Sequence, residues 1–410
     1  MRFSPSFLRI ALPVGGPTEN VELPAWAGSS GQTSSLVYIS DRDHGWWSFY
    51  HARVNIDSVR NGSTEDVETL CVLQCIGHEF GVPIWTLGKR IYDFLDDGRL
   101  FCMWKDAKGV LCGVACTLTS EHVLHSTDDA HVAARGDSGL QVIAVPPLRG
   151  ESSSLSLTAF TQMVVSSNGV VYVIGGAPAL PSGVYRWDTS SAFACPPNPQ
   201  AAEVGEISLV KSSMSSMSVD DRYISIPEEI AFPTVVRGTP MTAYGNYYAP
   251  RNPLFQAPEG TLPPLLVKLH GGPTNQASKV FRLDIQFFTS RGIAVLDVNY
   301  GGSTGYGREY RERLYGLWGV VDVDDCCMGA EYLASRGLVS RDKLAIDGSS
   351  AGGFTVLACV TFRNTFKAAT SLYGEESEWL LKILHDDPNF SCYILLVLVP
   401  YNVYNHNDDF

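Results

Sequence analysis

The chain has 410 residues, 45% hydrophobic and 18% charged, which supplies a large core and excludes wholesale disorder. Forty-three acidic side chains against 30 basic ones give a net charge of −13, which excludes nucleic acid and anionic membrane surfaces as main partners. The length predicts two or three domains. No apolar run reaches the roughly 18–20 residues of a membrane span. Met1–Gly16 has no apolar segment followed by a small-residue cleavage site, so a soluble cytoplasmic or other intracellular location is expected. That opening reads as the interior of a domain, so the chain is expected to be shortened there.

Residues 1–222 read as all-β. Short apolar strands alternate with polar turns in "SLVYISDRDHGWWSFYHARV", "DFLDDGRLFCMWKDAKGVLCGVAC" and "VVSSNGVVYVIGGAPALPSGVYRWDT", with Trp47, Leu111 and Tyr185 at similar places in the three units. Loose repeats with aromatic anchors predict three or four blades of a partial β-propeller, with a β-sandwich as the alternative. Ten cysteines include the pairs Cys71/Cys75 and Cys112/Cys116, with His78 and His122 nearby. Their spacing is not that of a standard zinc site, and in strands cysteine serves as a small apolar residue, so no metal is assigned. The sequons at Asn61 and Asn389 arise as readily by chance as for glycosylation. The Ser-rich stretch within 198–222 reads as a linker or the edge of the last blade.

The rhythm then changes. "EEIAFPTVVRGTPMTAYGNYYAPRN" predicts a β-hairpin. "PLLVKLHGGP", "GIAVLDVNYGG", "KLAIDG" and "KAATSLYG" read as buried strands, and "KVFRLDIQFFTSRG", "DVDDCCMGAEYLASRGL" and "AGGFTVLACV" as helices. This alternation predicts a parallel sheet with right-handed crossovers over residues 223–374. Asp322, Asp324 and Asp325 are expected to cap a helix and complement its dipole rather than bind a metal.

Gly348-Ser349-Ser350-Ala351-Gly352 is a G-x-S-x-G between a strand and a helix, the context of a nucleophile elbow presenting Ser350. The flanking glycines fit a turn with no room for side chains. "HGGP" (His270–Pro273) follows the neighbouring strand, where the amide near Gly271, with that of Ala351, would form an oxyanion hole. His270 precedes the serine and ends a strand, so it reads as a residue of the oxyanion loop rather than the base.

Together "LLVKLHGGPT", "VLDVNYGGSTGYGREYRERL", "GLWGVVDVDD" and "DGSSAGGF" resemble the catalytic domain of the prolyl oligopeptidase family of serine peptidases, the acylaminoacyl-peptidase-like branch above all. The resemblance covers about Tyr223 to Gly374. It implies an α/β-hydrolase domain preceded by a β-propeller, Ser350 as nucleophile, and Gly271 and Ala351 as oxyanion donors. It also implies peptide substrates, no cofactor, and compatibility with a homo-oligomer. Glu228-Glu229 lies at the entry to the hydrolase domain, so the dipeptidyl-peptidase branch's paired-glutamate specificity is not carried over.

The resemblance stops after "SLYG", and residues 375–410 form a divergent tail. The fold is expected to continue with two strand-helix units carrying an aspartate and a histidine, each needing roughly 30 residues. The tail is too short for both, so the hydrolase domain is expected to be incomplete at its C-terminus. Asp386 or Asp387 followed by His406 has the right order for a triad, with His385 also available; Asp387 and His406 are weak candidates and the triad Asp and His stay unassigned. Losing a triad histidine costs about 10⁶ in turnover, so a weakened hydrolase is expected. A non-catalytic peptide- or partner-binding protein and an esterase or lipase are the alternatives. "CYILLVLV" is expected to pair with the open sheet edge or with another chain.

Overall fold

The computed structural model describes residues 19–30, 33–55, 57–58, 67–83, 85–86, 88–105, 111–125, 139–148, 156–190, 192–193, 205–214, 219–374 and 393–397. The chain forms two compact units. One comprises Met1–Ser218 with Ser278–Phe281 and Thr304–Glu309; the other comprises Val219–Ala277, Arg282–Ser303 and Tyr310–Phe410. Among the described residues no helix is long and apolar enough to cross a membrane.

The first unit holds thirteen strands among its described residues: β1 (Val21–Ser30), β2 (Thr33–Ser40), β3 (Ser48–Asn55), β4 (Val67–Ile76), β5 (Tyr92–Phe94), β6 (Leu100–Lys105), β7 (Leu111–Cys116), β8 (Val123–His125), β9 (Leu140–Ala144), β10 (Ala159–Val165), β11 (Val170–Ala177), β12 (Leu180–Asp188) and β13 (Ile207–Ser212). They form three sheets in the orders β1-β2-β3-β4-β8, β5-β6-β7-β9 and β10-β11-β12-β13. Neighbours are antiparallel except β4 and β8, which is the build of successive propeller blades. Trp47, Leu111 and Tyr185 are all buried, in or beside the third strand of their sheets.

The middle sheet shows why these strands read as continuous apolar runs. Side chains alternate faces along a strand. Leu100, Cys102 and Trp104 of β6 enter one core with Cys112, Val114 and Cys116 of β7. Phe101 and Met103, with Leu111 and Ala115, enter a second core with Trp187 and Phe193. Both faces are dry, so both need apolar residues. Cys112 and Cys116 share a face because they are four apart on a strand, and they line a core. Among the described residues no group of His, Cys, Asp and Glu has the arrangement to hold a metal ion.

The second unit contains β14 (Glu228–Val236), β15 (Thr239–Tyr248), β16 (Leu265–Leu269), α1 (Leu283–Thr289), β17 (Ala294–Asn299), α2 (Gly307–Glu312, begun in the first unit), α3 (Val321–Ser335), β18 (Leu344–Ser349), α4 (Ala351–Phe362), β19 (Ala368–Leu372) and β20 (Tyr393–Val397). Its sheet runs β14-β15-β17-β16-β18-β19-β20. The β14–β15 hairpin turns at Arg237 and Gly238, both with positive φ, which fits the right-handed strand twist. From β17 to β20 every pair is parallel. The stretch inside "CYILLVLV" is β20, alongside β19 at the sheet edge.

Helices cover both faces of this sheet. Leu265, Val267 and Leu269 of β16 and Leu296 and Val298 of β17 pack with α3 and α4 through Val323, Leu333, Val356 and Leu357. Each such fully buried Val or Leu contributes about 1.5–3 kcal/mol. Leu266 and Val295 face Ile285 of α1 on the other side. That side also carries an ionic network: Lys268 meets Asp347 at 2.5 Å and Asp284 at 3.4 Å, while Arg282 meets buried Asp297 at 3.0 Å.

Helix α3 is tied down by the aspartates that its sequence suggested as caps. The N-cap residue is Val320, with no side-chain capping bond. Asp322 lies in the first turn, as expected, but it is buried and accepts from the Gly319 amide at 2.7 Å and the Thr355 hydroxyl of α4 at 2.5 Å. Asp324 pairs with Arg363 just beyond α4. Asp325 is also buried; it accepts from the Thr234 hydroxyl of β14 at 2.5 Å and the Gly301 amide at 2.7 Å. These carboxylates join elements that are distant in sequence, which helical spacing cannot reveal.

The turn from β18 into α4 depends on two close backbone approaches. A Cβ at Gly348 would lie 2.5 Å from the Gly352 carbonyl oxygen, and one at Gly352 would lie 3.0 Å from the carbonyl oxygens of Leu269 and His270. The obstructing atoms are backbone, so they cannot swing aside. Gly348→Ala is expected to lower stability by about 1–3 kcal/mol, read as a shift of the urea midpoint without a change in slope.

Burial pushes the Asp325 carboxyl up to about 6, against the hydrogen bonds from Thr234 and Gly301. Between the ordinary carboxylate value and about 6 the native state holds more protons than the unfolded state, so this group subtracts stability as pH rises through that window. Two pKa units correspond to about 3 kcal/mol. Asp325→Asn is therefore expected to gain stability relative to the parent between pH 4 and pH 6.5. Denaturation at both pH values checks this, and a pH-independent difference would contradict it.

Candidate active site

Ser350 sits between the end of β18 and the first residue of α4, with φ 53° and ψ −125°. Positive φ is costly for a residue with a side chain. The surroundings enforce it: the Ser350 amide donates to the Leu372 carbonyl at the end of β19 at 3.0 Å, and its own carbonyl accepts from the Phe354 amide at 3.1 Å. The chain is thereby pinned on both sides of the turn, and the side chain is left partly exposed at the C-terminal end of the strands. Tyr373, following β19, is a second non-glycine residue with positive φ beside this turn.

Gly271 lies against Ser350. A Cβ there would be 3.2 Å from the Ser349 carbonyl oxygen, 3.4 Å from Ser350 Cβ and 3.9 Å from its Oγ. Ala351 opens α4, where first-turn amides have no intrahelical acceptor. Neither the Gly271 nor the Ala351 N–H donates to a described acceptor. Ser350, Gly271 and Ala351, singled out separately in the sequence, therefore come together at the ends of β16 and β18.

His270 is placed differently from a base. Its ring stacks on Tyr300 with centroids 4.4 Å apart and planes 19° apart. Nδ1 faces the Gly271 carbonyl at 3.0 Å and Nε2 the Ser303 hydroxyl at 2.8 Å. A carbonyl only accepts, so Nδ1 carries the proton and Nε2 accepts from Ser303. Burial holds the ring's pKa down to about 4, keeping it neutral, while the bond to Gly271 works weakly in the other direction. Both ring nitrogens are engaged within the loop network. Asp386, Asp387, His385 and His406, together with Asn61 and Asn389, lie outside the described residues.

Motif reasoning did not single out Tyr300, which is fully buried. Its sequence signal is its place at the end of a buried strand within NYGGSTGYG (Asn299–Gly307), a stretch that the resemblance puts on the active-site side of the sheet without assigning this residue a role. Phe354, one turn beyond Ser350, meets half-exposed Trp318 edge-on at 5.4 Å, a contact no linear motif encodes.

Comparison with known proteins follows the same geometry. Residues 279–391 match the prolyl oligopeptidase family. The chain is 35% identical over 112 residues to dipeptidyl aminopeptidase BIII of Pseudoxanthomonas mexicana, covering 27% of this chain and 16% of that protein. It is 37% identical over 91 residues to acylamino-acid-releasing enzyme 2 of Oryza sativa subsp. japonica, covering 22% of this chain and 12% of that one. A puromycin-hydrolyzing peptidase of Mycobacterium tuberculosis superposes with a TM-score of 0.67 and 33% identity over 89% of this chain and 46% of its own. The chain thus spans about half the length of that solved relative. A propeller-type β unit, a hydrolase sheet bearing a serine elbow and these matches make the chain similar to the prolyl oligopeptidase family of serine peptidases, whose family match lies on residues 279–391.

Proposed function

We propose that the chain is a serine-type peptidase acting on short or acylated peptides, with residues 1–222 as its propeller-type domain and 223–374 as its hydrolase domain. The observation that carries the reading is Ser350 at φ 53°, held on the elbow with Gly271 packed against it. Ser350 Oγ attacks the scissile carbonyl as a base in the role of the unassigned triad histidine takes its proton and later returns it to the departing amine, and the tetrahedral oxyanion is received by the N–H groups of Gly271 and Ala351. Collapse expels the amine and leaves an acyl-serine, which water then hydrolyses. Backbone donors fixed in this way act where charge develops, and removing one such donor costs about 10²–10³ in turnover. Relatives of both the dipeptidyl and acylamino-acid-releasing kinds support a peptide amide as the bond cleaved.

A fluorophosphonate probe is expected to label Ser350 and to leave Ser350→Ala unlabelled, with hydrolysis of an N-acyl peptide lost in parallel. Hydrolysis that survives Ser350→Ala would overturn the proposal, and peptide binding with neither labelling nor turnover would favour a non-catalytic binding protein. Gly271→Ala places a methyl group over the serine hydroxyl. It is expected to slow labelling at least tenfold with a thermal midpoint within a few degrees of the parent, measured by probe kinetics and by melting.

A further inference from the structure

We propose that Tyr300 is a positioning residue for the oxyanion hole, acting through the peptide plane that joins His270 to Gly271; this rests on the peptidase reading above. The Tyr300 hydroxyl donates to the His270 carbonyl at 2.9 Å, with the Pro273 carbonyl at 3.3 Å. The only cis peptide among the described residues is Gly272–Pro273, so the His270–Gly271 peptide is trans and planar, with its C=O and N–H pointing in opposite directions. Pinning the His270 oxygen therefore fixes the direction of the Gly271 N–H, the group offered to the oxyanion. No side chain needs to touch that N–H for its orientation to be controlled.

The lever itself is held firmly. Tyr300 is fully buried, and its ring stacks on His270. The next amide, Gly301 N–H, is anchored on Asp325 at 2.7 Å, and the Ser303 amide donates back to the Tyr300 carbonyl at 2.9 Å. Ser303 in turn holds His270 Nε2, and His270 Nδ1–H reaches the Gly271 carbonyl. The far end of the loop is caught by the same strand end, because Asn299 Oδ1 accepts from the Ala277 amide at 2.7 Å. The exit of β17 thus grips the 270–277 loop at both ends, and the Tyr300 hydroxyl is the contact nearest the amide that matters.

Tyr300→Phe removes one hydroxyl and keeps the stacked ring. Fluorophosphonate labelling and kcat for peptide hydrolysis are expected to fall 10- to 100-fold, with KM within about threefold of the parent. Tyr248→Phe is the control: Tyr248 is buried in the same sheet, and its hydroxyl has no hydrogen-bond partner among the described residues; labelling is expected to be unchanged. Hydrogen exchange of the peptide containing residues 269–276 gives a readout independent of catalysis, and Tyr300→Phe is expected to speed it at least tenfold. Parent-like exchange in Tyr300→Phe would overturn the proposal, as would parent-like labelling where the parent itself is labelled. If the parent resists the probe altogether, the peptidase reading fails, while the exchange measurement still decides whether Tyr300 fixes the loop.

Discussion

The hydrolase unit is organised around one unfavourable backbone conformation. Ser350 adopts positive φ because β18 must turn sharply into α4 while α4 stays packed against the sheet. The strain is local and the forces opposing it are distributed. Glycines at 348 and 352 let backbone meet backbone, β19 accepts the serine amide, and the apolar face of α4 is buried among β16, β18 and α3. Relaxing the turn would mean withdrawing α4 from that core. A strained residue persists where its surroundings over-determine it.

The polar ties follow a consistent plan. Asp322 and Asp325 leave the first turns of α3 for α4, β14 and the exit of β17, and each accepts hydroxyl and amide donors rather than a cation. On the opposite face, Lys268, Arg282, Asp284, Asp297 and Asp347 form a charged cluster beneath the same strands. Burial pushes Asp297 up to about 6 despite Arg282 and Lys268. Breaking one member of such a cluster leaves the others uncompensated in a poorly solvated place. Asp347 stands three residues before Ser350, so the strand that carries the elbow is braced by charge on one face and by apolar packing on the other.

Much of this was legible in the sequence because it is local. Strand and helix periods, the hairpin within EEIAFPTVVRGTPMTAYGNYYAPRN and the G-x-S-x-G elbow are all encoded within a few residues of themselves. The pairing of HGGP with the elbow was legible from the order of strands. Contacts made by chain segments far apart were not. The aspartates of α3 look like caps at helical spacing, and Asp322 does hold the nearby Gly319 amide, yet their other hydrogen-bond partners lie 24 to 91 residues away. His270 looks like a free imidazole in a motif, but Tyr300 and Ser303, about thirty residues on, enclose it. Cys112 and Cys116 resemble a ligand pair until strand alternation puts both in an apolar core.

The Tyr300–His270 contact also makes the site a check on sheet assembly. β16 and β17 are neighbouring parallel strands with Leu269 opposite Val298, and the clamp partners follow at their exits, His270 one residue after Leu269 and Tyr300 two residues after Val298. A slip of one residue would turn every side chain of one strand to the other face. The phenol would leave the His270 carbonyl, and Asp297 would move from its ionic partners into an apolar layer. A chain that closes this clamp has therefore already found its correct pairing, and the precision of the amide beside Ser350 is inherited from strand register rather than set by the loop alone.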